Sequence, residues 1–485
     1  MRRHDAMGRP TFRQVKGWKQ VKPTVEGVEK RILLATFTVQ NLNDDLLPGS
    51  LRTAILASNA TAGTNIIQFN IAAAGVQTIP IRTSLPVVTV PVLIDGTTER
   101  GYAGTPLVIL SGAGAGLGVD GLDISAGNTT VQGLGLNSFT GEGINLSGAG
   151  NNTIQNNYIG INPAGTAAAG NALDGVLVQT GSNGNKILNN VISGNTANGV
   201  FVNGGPAATA TSVASGTIIS GNRIGTDAAG NGILPNGGDG VYLQNAPTTT
   251  IGGTTAAARN IIAGNRNGLE LFSNSDNSVV AGNYIGTNAA GTVALGNSAG
   301  TGILLQGISN LTIGGTAAGA RNLISGNQNG ISSTFAGGTT IAIQGNYIGT
   351  NAAGTGAVGN RQSGIVLNGS TNVTIGGTAA AARNIIAGNA GDGINASFFT
   401  NTLVIQGNSI GTDVSGALAL GNGGAGVNVA SFGAVIGGIG AGAANIIANS
   451  GQSGVIVSGI NDSILSNSIY NSQNLGIELR GGNNN

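Results

Sequence analysis

Three arginines with identical neighbours are the first residues whose type and spacing could do chemistry. Arg259, Arg321 and Arg383 each stand in Ala-Arg-Asn, at intervals of 62 residues. A planar guanidinium binds carboxylate or sulfate groups through paired hydrogen bonds, so this column predicts a site for an acidic glycan. The alternative is structural: each arginine caps carbonyl groups of its own loop. Repetition favours the alternative, because packing must be satisfied in every repeat and an active site is needed only once.

A column of acidic residues offers a different chemistry. Glu142, Asp174, Asp239 and Asp392 each precede a glycine that opens a short apolar run, and asparagine takes this position in other repeats. Carboxylates are preferred ligands of Ca²⁺, so the column is a candidate calcium site. The favoured interpretation is that Asn-Gly and Asp-Gly suit tight corners of the chain. Apart from calcium, no cofactor is expected.

Tyrosines recur as well. Tyr158, Tyr284 and Tyr347 each stand in Asn-Tyr-Ile-Gly. Their rings could stack on sugars, but the favoured interpretation is a stack of tyrosines along one face of the fold.

Other reactive side chains are scarce. Charged residues make up 8% of the chain, there is no cysteine, His4 is the single histidine, and Lys186 is the only lysine after residue 30. This composition excludes disulfides, zinc-thiolate sites and cysteine nucleophiles. It also excludes histidine-based catalysis in the body of the chain. No residue is therefore assigned a catalytic role.

Internal repeats must position these columns. Ile-Gly-Gly-Thr begins at residues 251, 313 and 375, and Gly-Asn-x-Ile-Gly-Thr begins at residues 221, 282, 345 and 407. Glycines that open apolar runs alternate between a shorter and a longer step, as from Gly302 to Gly330 and on to Gly364. Each 62-residue unit is therefore two coils of unequal length, a pattern typical of solenoids.

One coil predicts three short strands, at residues 302–305, 311–313 and 323–324. None is long enough to be stable alone, so stacking on the next coil must supply its hydrogen-bond partners. The sequence predicts an all-β fold, a right-handed parallel β-helix of about 12 or more coils. Inserts at 314–321 and 350–363 predict two ridges, each repeating every second coil. Corner asparagines are expected to bond the asparagine one coil away.

The chain divides into three regions. Residues 1–35 form a basic head, residues 36–130 a cap with irregular first coils, and residues 131–485 the regular solenoid. Within the cap, residues 51–58 predict a short capping helix with Ser50 as N-cap. The last coil opens without a cap of its own, so we expect a chain truncated at its C-terminus, with further domains beyond it.

Charge and hydropathy limit the classes of partner that the chain is expected to have. Residues 1–31 hold nine basic and three acidic residues, whereas the rest holds eleven basic and sixteen acidic residues. A mildly acidic body is not expected to bind nucleic acid. The basic head is interpreted as an export address, with binding to an anionic membrane or nucleic acid as the alternative. No run of 18 apolar residues occurs, so no transmembrane segment is expected.

The N-terminal motifs resemble those of a known family. Residues 43–55, together with Ile94-Asp95-Gly96-Thr97 and residues 101–106, resemble large bacterial surface proteins of the pectate-lyase-like β-helix superfamily. Residues 43–55 resemble their CSLREA-type module, although Gly49 stands where that name implies cysteine. Residues 28–34 resemble the LEPR-x-L-L export segment, from which Val28 and Lys30 depart. The resemblance implies secretion or surface display and no particular activity.

Two functions remain open. The favoured one is a non-catalytic extracellular or cell-surface module, a stalk or adhesin, with polysaccharides or surface glycans as partners. The alternative is a polysaccharide lyase or glycoside hydrolase acting on acidic polysaccharide, which needs a charged acid or base beside the sugar. An enzyme should show one coil with charged residues absent from equivalent positions elsewhere. Only residues 203–217 and the pair Glu99 and Arg100 depart from the repeat in this way.

Overall fold

A computed structural model describes residues 34–205, 213–297, 300–335, 340–397 and 400–481. The basic head predicted for residues 1–35 thus lies almost wholly outside the described residues. So do residues 206–212, the centre of the irregular segment 203–217.

Three parallel sheets run along the described chain, and we call them sheets A, B and C. The fifteen strands of sheet A are Thr36–Val39, Asn65–Phe69, Val92–Asp95, Thr130–Gln132, Thr153–Gln155, Lys186–Leu188, Ile218–Ser220, Thr250–Gly252, Val279–Ala281, Leu311–Gly314, Ile341–Gln344, Val373–Gly376, Val404–Gln406, Val435–Gly437 and Ser463–Leu465. The fourteen strands of sheet B are Gln77–Pro80, Val108–Ser111, Leu134–Asn137, Tyr158–Ile159, Val191–Ile192, Arg223–Ile224, Ile261–Ile262, Tyr284–Ile285, Leu323–Ile324, Tyr347–Ile348, Ile385–Ile386, Ser409–Ile410, Ile446–Ala448 and Ser468–Tyr470. The thirteen strands of sheet C are Leu122–Ile124, Ile144–Leu146, Val176–Val178, Val200–Asn203, Val241–Gln244, Leu269–Phe272, Ile303–Gln306, Ile331–Thr334, Ile365–Asn368, Ile394–Ala396, Val427–Val429, Val455–Val457 and Ile477–Leu479.

Each complete coil gives one strand to each sheet. One coil passes through Ile303–Gln306 in sheet C, Leu311–Gly314 in sheet A and Leu323–Ile324 in sheet B. Each strand pairs in parallel with the equivalent strand of the next coil, at a spacing of about 4.8 Å. The prediction of a parallel β-helix with three short strands per coil is confirmed.

The core is a single column of inward side chains. Ile303, Ile313 and Ile324 come from the three sheets of one coil, and each is 0% exposed. They belong to one apolar cluster that extends from Val39 to Val457. Alternating strand residues point inward, which is why the period of two in the sequence predicts this core.

Asparagines form two hydrogen-bond ladders at the corners on either side of sheet B. In each ladder an amide Nδ2 donates to the Oδ1 of the asparagine one coil further on, which confirms the expectation from the sequence. The ladder between sheets A and B contains Asn157, Asn190, Asn222, Asn260, Asn283, Asn322, Asn346, Asn384, Asn408, Asn445 and Asn467. The ladder between sheets B and C contains Asn171, Asn195, Asn236, Asn265, Asn297, Asn327, Asn360, Asn389 and Asn422.

The glycine of the Gly-Asn-x-Ile-Gly-Thr motif turns the chain just before a ladder asparagine. Gly282 has φ +73°, and a Cβ there would lie 2.0 Å from the carbonyl oxygen of Gly253. Only glycine fits such a left-handed, closely approached position. The left-handed turn and the ladder bond therefore fall on two neighbouring residues, Gly282 and Asn283.

The predicted capping helix is present at Leu51–Asn59. Ser50 is its N-cap and accepts a hydrogen bond from the backbone N–H of Thr53, as expected. Leu51 and Ile55 bury against the first coils in the same apolar cluster as the core. No helix of the described chain is long and apolar enough to cross a membrane. Short 3₁₀ turns lie at Gly96–Thr98, Ala256–Ala258 and Ala380–Ala382.

Candidate functional site

Two rows of loops flank the outer face of sheet B, as the two inserts predict. Loops at the corner between sheets A and B, which we call insert loops, comprise residues 253–259, 315–321 and 377–383. Long loops on the other side of sheet B comprise residues 287–295, 350–358 and 412–420. The long loops bond one another across the intervening coil, as when the N–H of Ala352 donates to the carbonyl of Gly291 at 2.9 Å. Sheet B is thus the floor of a groove.

Two of the three predicted arginines stack on tyrosines in this groove. The guanidinium carbon of Arg259 lies 4.1 Å from the ring centroid of Tyr284, and that of Arg321 lies 3.9 Å from the ring centroid of Tyr347. A guanidinium over a tyrosine face gains a cation–π attraction. In both pairs the arginine ends an insert loop and the tyrosine belongs to the next coil.

Each arginine is also anchored through Nε. Arg321 Nε donates to the carbonyl oxygen of Gly345 at 3.3 Å, and Arg383 Nε donates to that of Gly407 at 3.2 Å. The prediction that each guanidinium caps its own loop is therefore wrong for Nε, because the carbonyl belongs to the following coil. Arg383 differs from the other two, since Ser409 occupies the tyrosine position in the coil that follows it.

The two stacked pairs line one cavity of about 280 Å³. Arg259, Tyr284, Arg321 and Tyr347 form its polar side, and Leu323 and the insert loop 315–319 complete it. None of the ion pairs among the described residues involves Arg259, Arg321 or Arg383. Two guanidinium groups held in place but not neutralised by a carboxylate suit the binding of anions.

The favoured interpretation of the tyrosines is wrong. Tyr284 pairs in register with Leu323, and Leu323 pairs with Tyr347, so an apolar residue separates the two rings. Tyr158 is followed by Val191 in the same way. A 62-residue repeat places equivalent residues two coils apart, which is too far for ring stacking. The rings of Tyr284 and Tyr347 pack on arginines instead.

The acidic column is a third hydrogen-bond ladder, at the corner between sheets B and C. Glu142 Oε2 accepts the backbone N–H of Asp174 at 2.5 Å, and Asp174 Oδ1 accepts that of Asn198 at 2.7 Å. Asp239 Oδ1 accepts the N–H of Asn267, and Asp392 Oδ1 accepts that of Ala425. An oxygen acceptor is what this corner requires, so aspartate, glutamate and asparagine interchange there.

The four acids do not form one metal site. Glu142 and Asp174 lie in adjacent coils, but the coil of Asn198 separates Asp174 from Asp239, and Asp392 lies five coils beyond Asp239. No group of three or more acidic or histidine side chains in the described ranges is arranged to hold a metal ion. Calcium binding by any of these residues stays a prediction.

Glu142 makes the stability of the fold depend on pH. Burial, together with the charges of Asp174 and Asp120, raises its pKa from 4.5 to about 8. Between these values the folded chain holds a proton that the unfolded chain releases, so stability should fall as the pH rises from 4.5 to about 8. Glu142→Gln keeps the acceptor oxygen and should make this decline shallower. Thermal unfolding midpoints measured from pH 5 to pH 9 check it, and an unchanged slope would contradict the assignment.

A second group of charged residues lies on the outer face of sheet C, and sequence reasoning missed it. Arg266 Nη2 contacts Asp239 Oδ2 at 2.8 Å and Glu270 Oε2 at 2.9 Å. Tyr242 pairs in register with Glu270, and its ring stacks on Phe201 at 4.8 Å between centroids. Together with residues 196–198 and 237–238, Tyr242, Arg266 and Glu270 line an open cavity of about 470 Å³. We call Asp239, Tyr242, Arg266 and Glu270 the sheet C group.

The electrostatics of this group favour proton exchange near neutral pH. Burial, and after it the neighbouring Asp239, raises the pKa of Glu270 to about 7. Burial also raises the pKa of the Tyr242 phenol. The side chain of Asp239 is 0% exposed, that of Glu270 is 10% exposed and that of Arg266 is 54% exposed. Arg266 and Glu270 can therefore contact a ligand, whereas Asp239 only positions Arg266.

Glu99, which the sequence analysis singled out as a departure from the repeat, is not part of the sheet C group. Glu99 is 2% exposed and accepts the backbone N–H of Ile71 at 3.0 Å, which is a structural role. The feature of the sequence that could have revealed the sheet C group is Glu270, a carboxylate inside an otherwise apolar strand, Leu269–Phe272. Its partners could be found only from the register between coils.

Comparisons with known proteins concern the architecture. No family model matches the sequence, and no curated protein matches it. One similar solved structure is a mutant of the periplasmic alginate epimerase AlgG, at 12% identity and a TM-score of 0.40 over 92% of this chain and 85% of that chain. A second is the A-module of the mannuronan C-5 epimerase AlgE4 from Azotobacter vinelandii, at 13% identity and 0.35 over 90% and 95%. A third is an alginate lyase from Paenibacillus sp., at 18% and 0.33 over 64% and 94%.

At these identities and TM-scores the likenesses concern the architecture alone. The architecture is secured by its own strand register, with three sheets paired in parallel from coil to coil. The chain is a right-handed parallel β-helix.

Proposed function

We propose that the protein is a non-catalytic extracellular or cell-surface module that binds acidic polysaccharide in the groove of sheet B. One observation carries this proposal: Arg259 and Arg321 line a single cavity, each held on a tyrosine ring, and neither is paired with a carboxylate of the described chain. Anchoring through Nε and the ring lowers the entropy that each side chain loses when a ligand binds.

The expected affinity is modest and sensitive to salt. Arg259 is half-buried and Arg321 is exposed, so each ion pair with a sugar carboxylate is partly screened by solvent. Several such contacts along one polysaccharide add through multivalency, because the second contact forms within a complex that already exists. A long chain should therefore bind more tightly than a short oligosaccharide.

The test is calorimetric titration of the full chain with polygalacturonate, with dextran as the uncharged control. We expect binding of polygalacturonate only, weakening as NaCl rises from 50 to about 300 mM. Equal binding of dextran, or an affinity that does not depend on salt, would be incompatible with an arginine-lined site.

The location outside the cell rests on the resemblance of residues 28–34 and 43–55 to bacterial surface proteins. Cell fractionation with protease shaving of intact cells tests it. The chain should be found in the medium or be degraded on intact cells, and retention in the cytosol would overturn this part of the proposal.

A second candidate function is cleavage of acidic polysaccharide, and the sheet C group favours it. Glu270 has no charged counterpart in the three coils that follow it: Leu304, Ser332 and Val366 occupy its position along the same row of sheet C. With a pKa of about 7, Glu270 can exist in both protonation states at neutral pH, as a general acid or base must.

Replacement of Glu270 with Gln tests the second candidate. If Glu270 transfers a proton, the wild-type chain should release unsaturated or reducing products from pectate or alginate, and Glu270→Gln should lose at least 100-fold in rate, the usual contribution of general acid–base catalysis. Arg361→Ala, an exposed change outside the group, is the control. Equal rates for Glu270→Gln and the wild type, or no products from the wild type, would remove this candidate.

A further inference from the structure

We infer that Arg223 is a further ligand-binding residue of the sheet B groove, and that the groove is a track of four arginines for a linear polyanion laid along the solenoid axis. This inference rests on the proposed function, because it names the extent of the same site and the class of ligand that fits it. The four arginines are Arg223, Arg259, Arg321 and Arg383.

Arg223 stands on the floor of the groove, in the position that tyrosines hold in later repeats. It is the variable residue of its Gly-Asn-x-Ile-Gly-Thr motif, as Tyr284 and Tyr347 are of theirs. The register agrees, because Arg223 pairs with Ile261, and Ile261 pairs with Tyr284 one coil further on. Arg223 therefore faces the same groove as the two arginine–tyrosine pairs, two coils before the first of them.

The side chain of Arg223 packs under the loop that follows its strand, as the tyrosine rings do. A Cβ on Gly230 would lie 3.4 Å from Arg223 Nε, and one on Gly291 would lie 2.9 Å from the ring of Tyr284. Nε of Arg223 is buried without a hydrogen-bond partner, and no ion pair within the described ranges involves this arginine. Arg223 thus lacks the carbonyl contact through Nε that anchors the other three arginines.

Two different local structures supply the charges of this column. The later arginines end insert loops, whereas Arg223 belongs to a strand. The coil before Arg223 has no insert loop, because only residues 189 and 190 separate its strands Lys186–Leu188 and Val191–Ile192. A residue retained for packing keeps its place in the repeat. Here the place changes and the charge stays, which favours a role for the charge itself.

The four arginines are spaced evenly along the axis. Arg223 lies in the coil of its own strand, and the insert loops direct the later arginines onto the coils of Tyr284, Tyr347 and Ser409. Each step is two coils, about 10 Å, so three steps give a track of about 30 Å. Ala444 takes the place of the arginine in the last repeat, which ends the track on that side.

A linear polyanion suits this geometry, and a compact anion does not. Guanidinium groups held about 10 Å apart cannot converge on a single carboxylate or phosphate. A polymer with charges at regular intervals can reach each of them in turn, and every later contact forms within a complex that already exists. Affinity should therefore rise with polymer length until the ligand spans the distance from Arg223 to Arg383.

An acidic polysaccharide fits the track better than a single-stranded nucleic acid, which is also a linear polyanion. Proteins hold unpaired bases largely by stacking them on aromatic rings. In this groove arginines already cover a face of the Tyr284 and Tyr347 rings. The ligand class is thus an unbranched acidic polysaccharide.

Replacement of Arg223 with tyrosine tests the track, because the fold already accepts tyrosine at positions 284 and 347. Oligogalacturonates of increasing length are titrated into the full chain. For a polymer longer than the track, Arg223→Tyr should weaken binding about tenfold and make the dependence of Kd on salt shallower. Trigalacturonate is too short to reach Arg223 from the cavity of Arg259 and Arg321, so its affinity should remain near that of the wild type.

A variant that lengthens the track gives the opposite result. Ala444 is exposed, so Ala444→Arg should fold, and it restores the arginine of the last repeat. It should tighten the binding of long polymers and leave that of trigalacturonate unchanged. Ala62→Arg, which adds the same charge at an exposed position of the N-terminal cap, is the matched control and should change neither.

The outcomes separate the two proposals. Equal binding of the long polymer by Arg223→Tyr and the wild type, or binding by Ala444→Arg no tighter than by Ala62→Arg, overturns the track and leaves acidic-glycan binding by Arg259 and Arg321 in place. Tighter binding of single-stranded DNA of matched length overturns the polysaccharide as the ligand of the track. Failure of every acidic polymer to bind overturns the proposed function itself.

Discussion

Replacing both Arg259 and Arg321 with alanine should weaken the binding of acidic polysaccharide about 100-fold, or tenfold for each arginine. A hydrogen bond to a charged group contributes about 1.5–3 kcal/mol, and solvent screening brings the contribution of a partly exposed pair towards the lower end. Both side chains line the cavity, so their loss removes its positive charge. Titration with chondroitin or polygalacturonate measures the change.

Three further variants control for this result. Arg361→Ala removes an exposed positive charge outside the groove and should leave affinity unchanged. Arg383→Ala should have a smaller effect than either single change, because Ser409 provides no ring to hold this guanidinium. Lysine at both positions keeps the charge but loses the planar fork, so it should restore part of the affinity. An unaltered affinity in the double alanine variant would show that the ligand binds elsewhere.

Replacing Asn322 with alanine should lower the free energy of unfolding by about 3–5 kcal/mol, since each buried polar group left without a partner costs about 1–3 kcal/mol. The Asn322 side chain is 0% exposed and bonds neighbours on both sides. Its Nδ2 donates to the carbonyl of Val280 at 2.8 Å and to Asn346 Oδ1 at 2.9 Å, and its Oδ1 accepts the N–H of Asn283 at 3.0 Å.

Asn231→Ala is the matched control for the ladder. Asn231 is exposed in the loop that follows strand Arg223–Ile224, and its bond to Asp227 uses the backbone N–H, which alanine retains. Denaturation midpoints in guanidinium chloride should fall clearly for Asn322→Ala and remain near wild type for Asn231→Ala. Equal midpoints for the two variants would show that the ladder does not stabilise the solenoid.

Local patterns were enough to predict the positions of the strands and the loops between them. The strands predicted at residues 302–305, 311–313 and 323–324 lie within one residue of those in the structure. Ser50 is the N-cap of the predicted helix, and both inserts occupy the corners assigned to them. These features depend on neighbours in sequence, such as alternating apolar residues, a capping serine or a glycine at a turn.

Contacts between coils were harder to predict. The sequence placed Arg321 with its own loop and Tyr347 with other tyrosines, yet they stack on each other, 26 residues apart. In the same way Tyr242 and Glu270 become neighbours only through the pairing of their strands. A change of one or two residues in loop length would place different side chains side by side, because register between coils decides which ones meet.

By itself, the sequence determined a parallel β-helix with three strands per coil, two loop ridges and asparagine ladders, because repetition at one period shows what every coil must satisfy. Only the tertiary structure decided that two arginines and two tyrosines share one cavity, and that Arg266 pairs with Asp239 of the preceding coil. The physical reason is that stacking each coil on the next brings together residues that lie more than twenty positions apart, and no local propensity encodes those pairs.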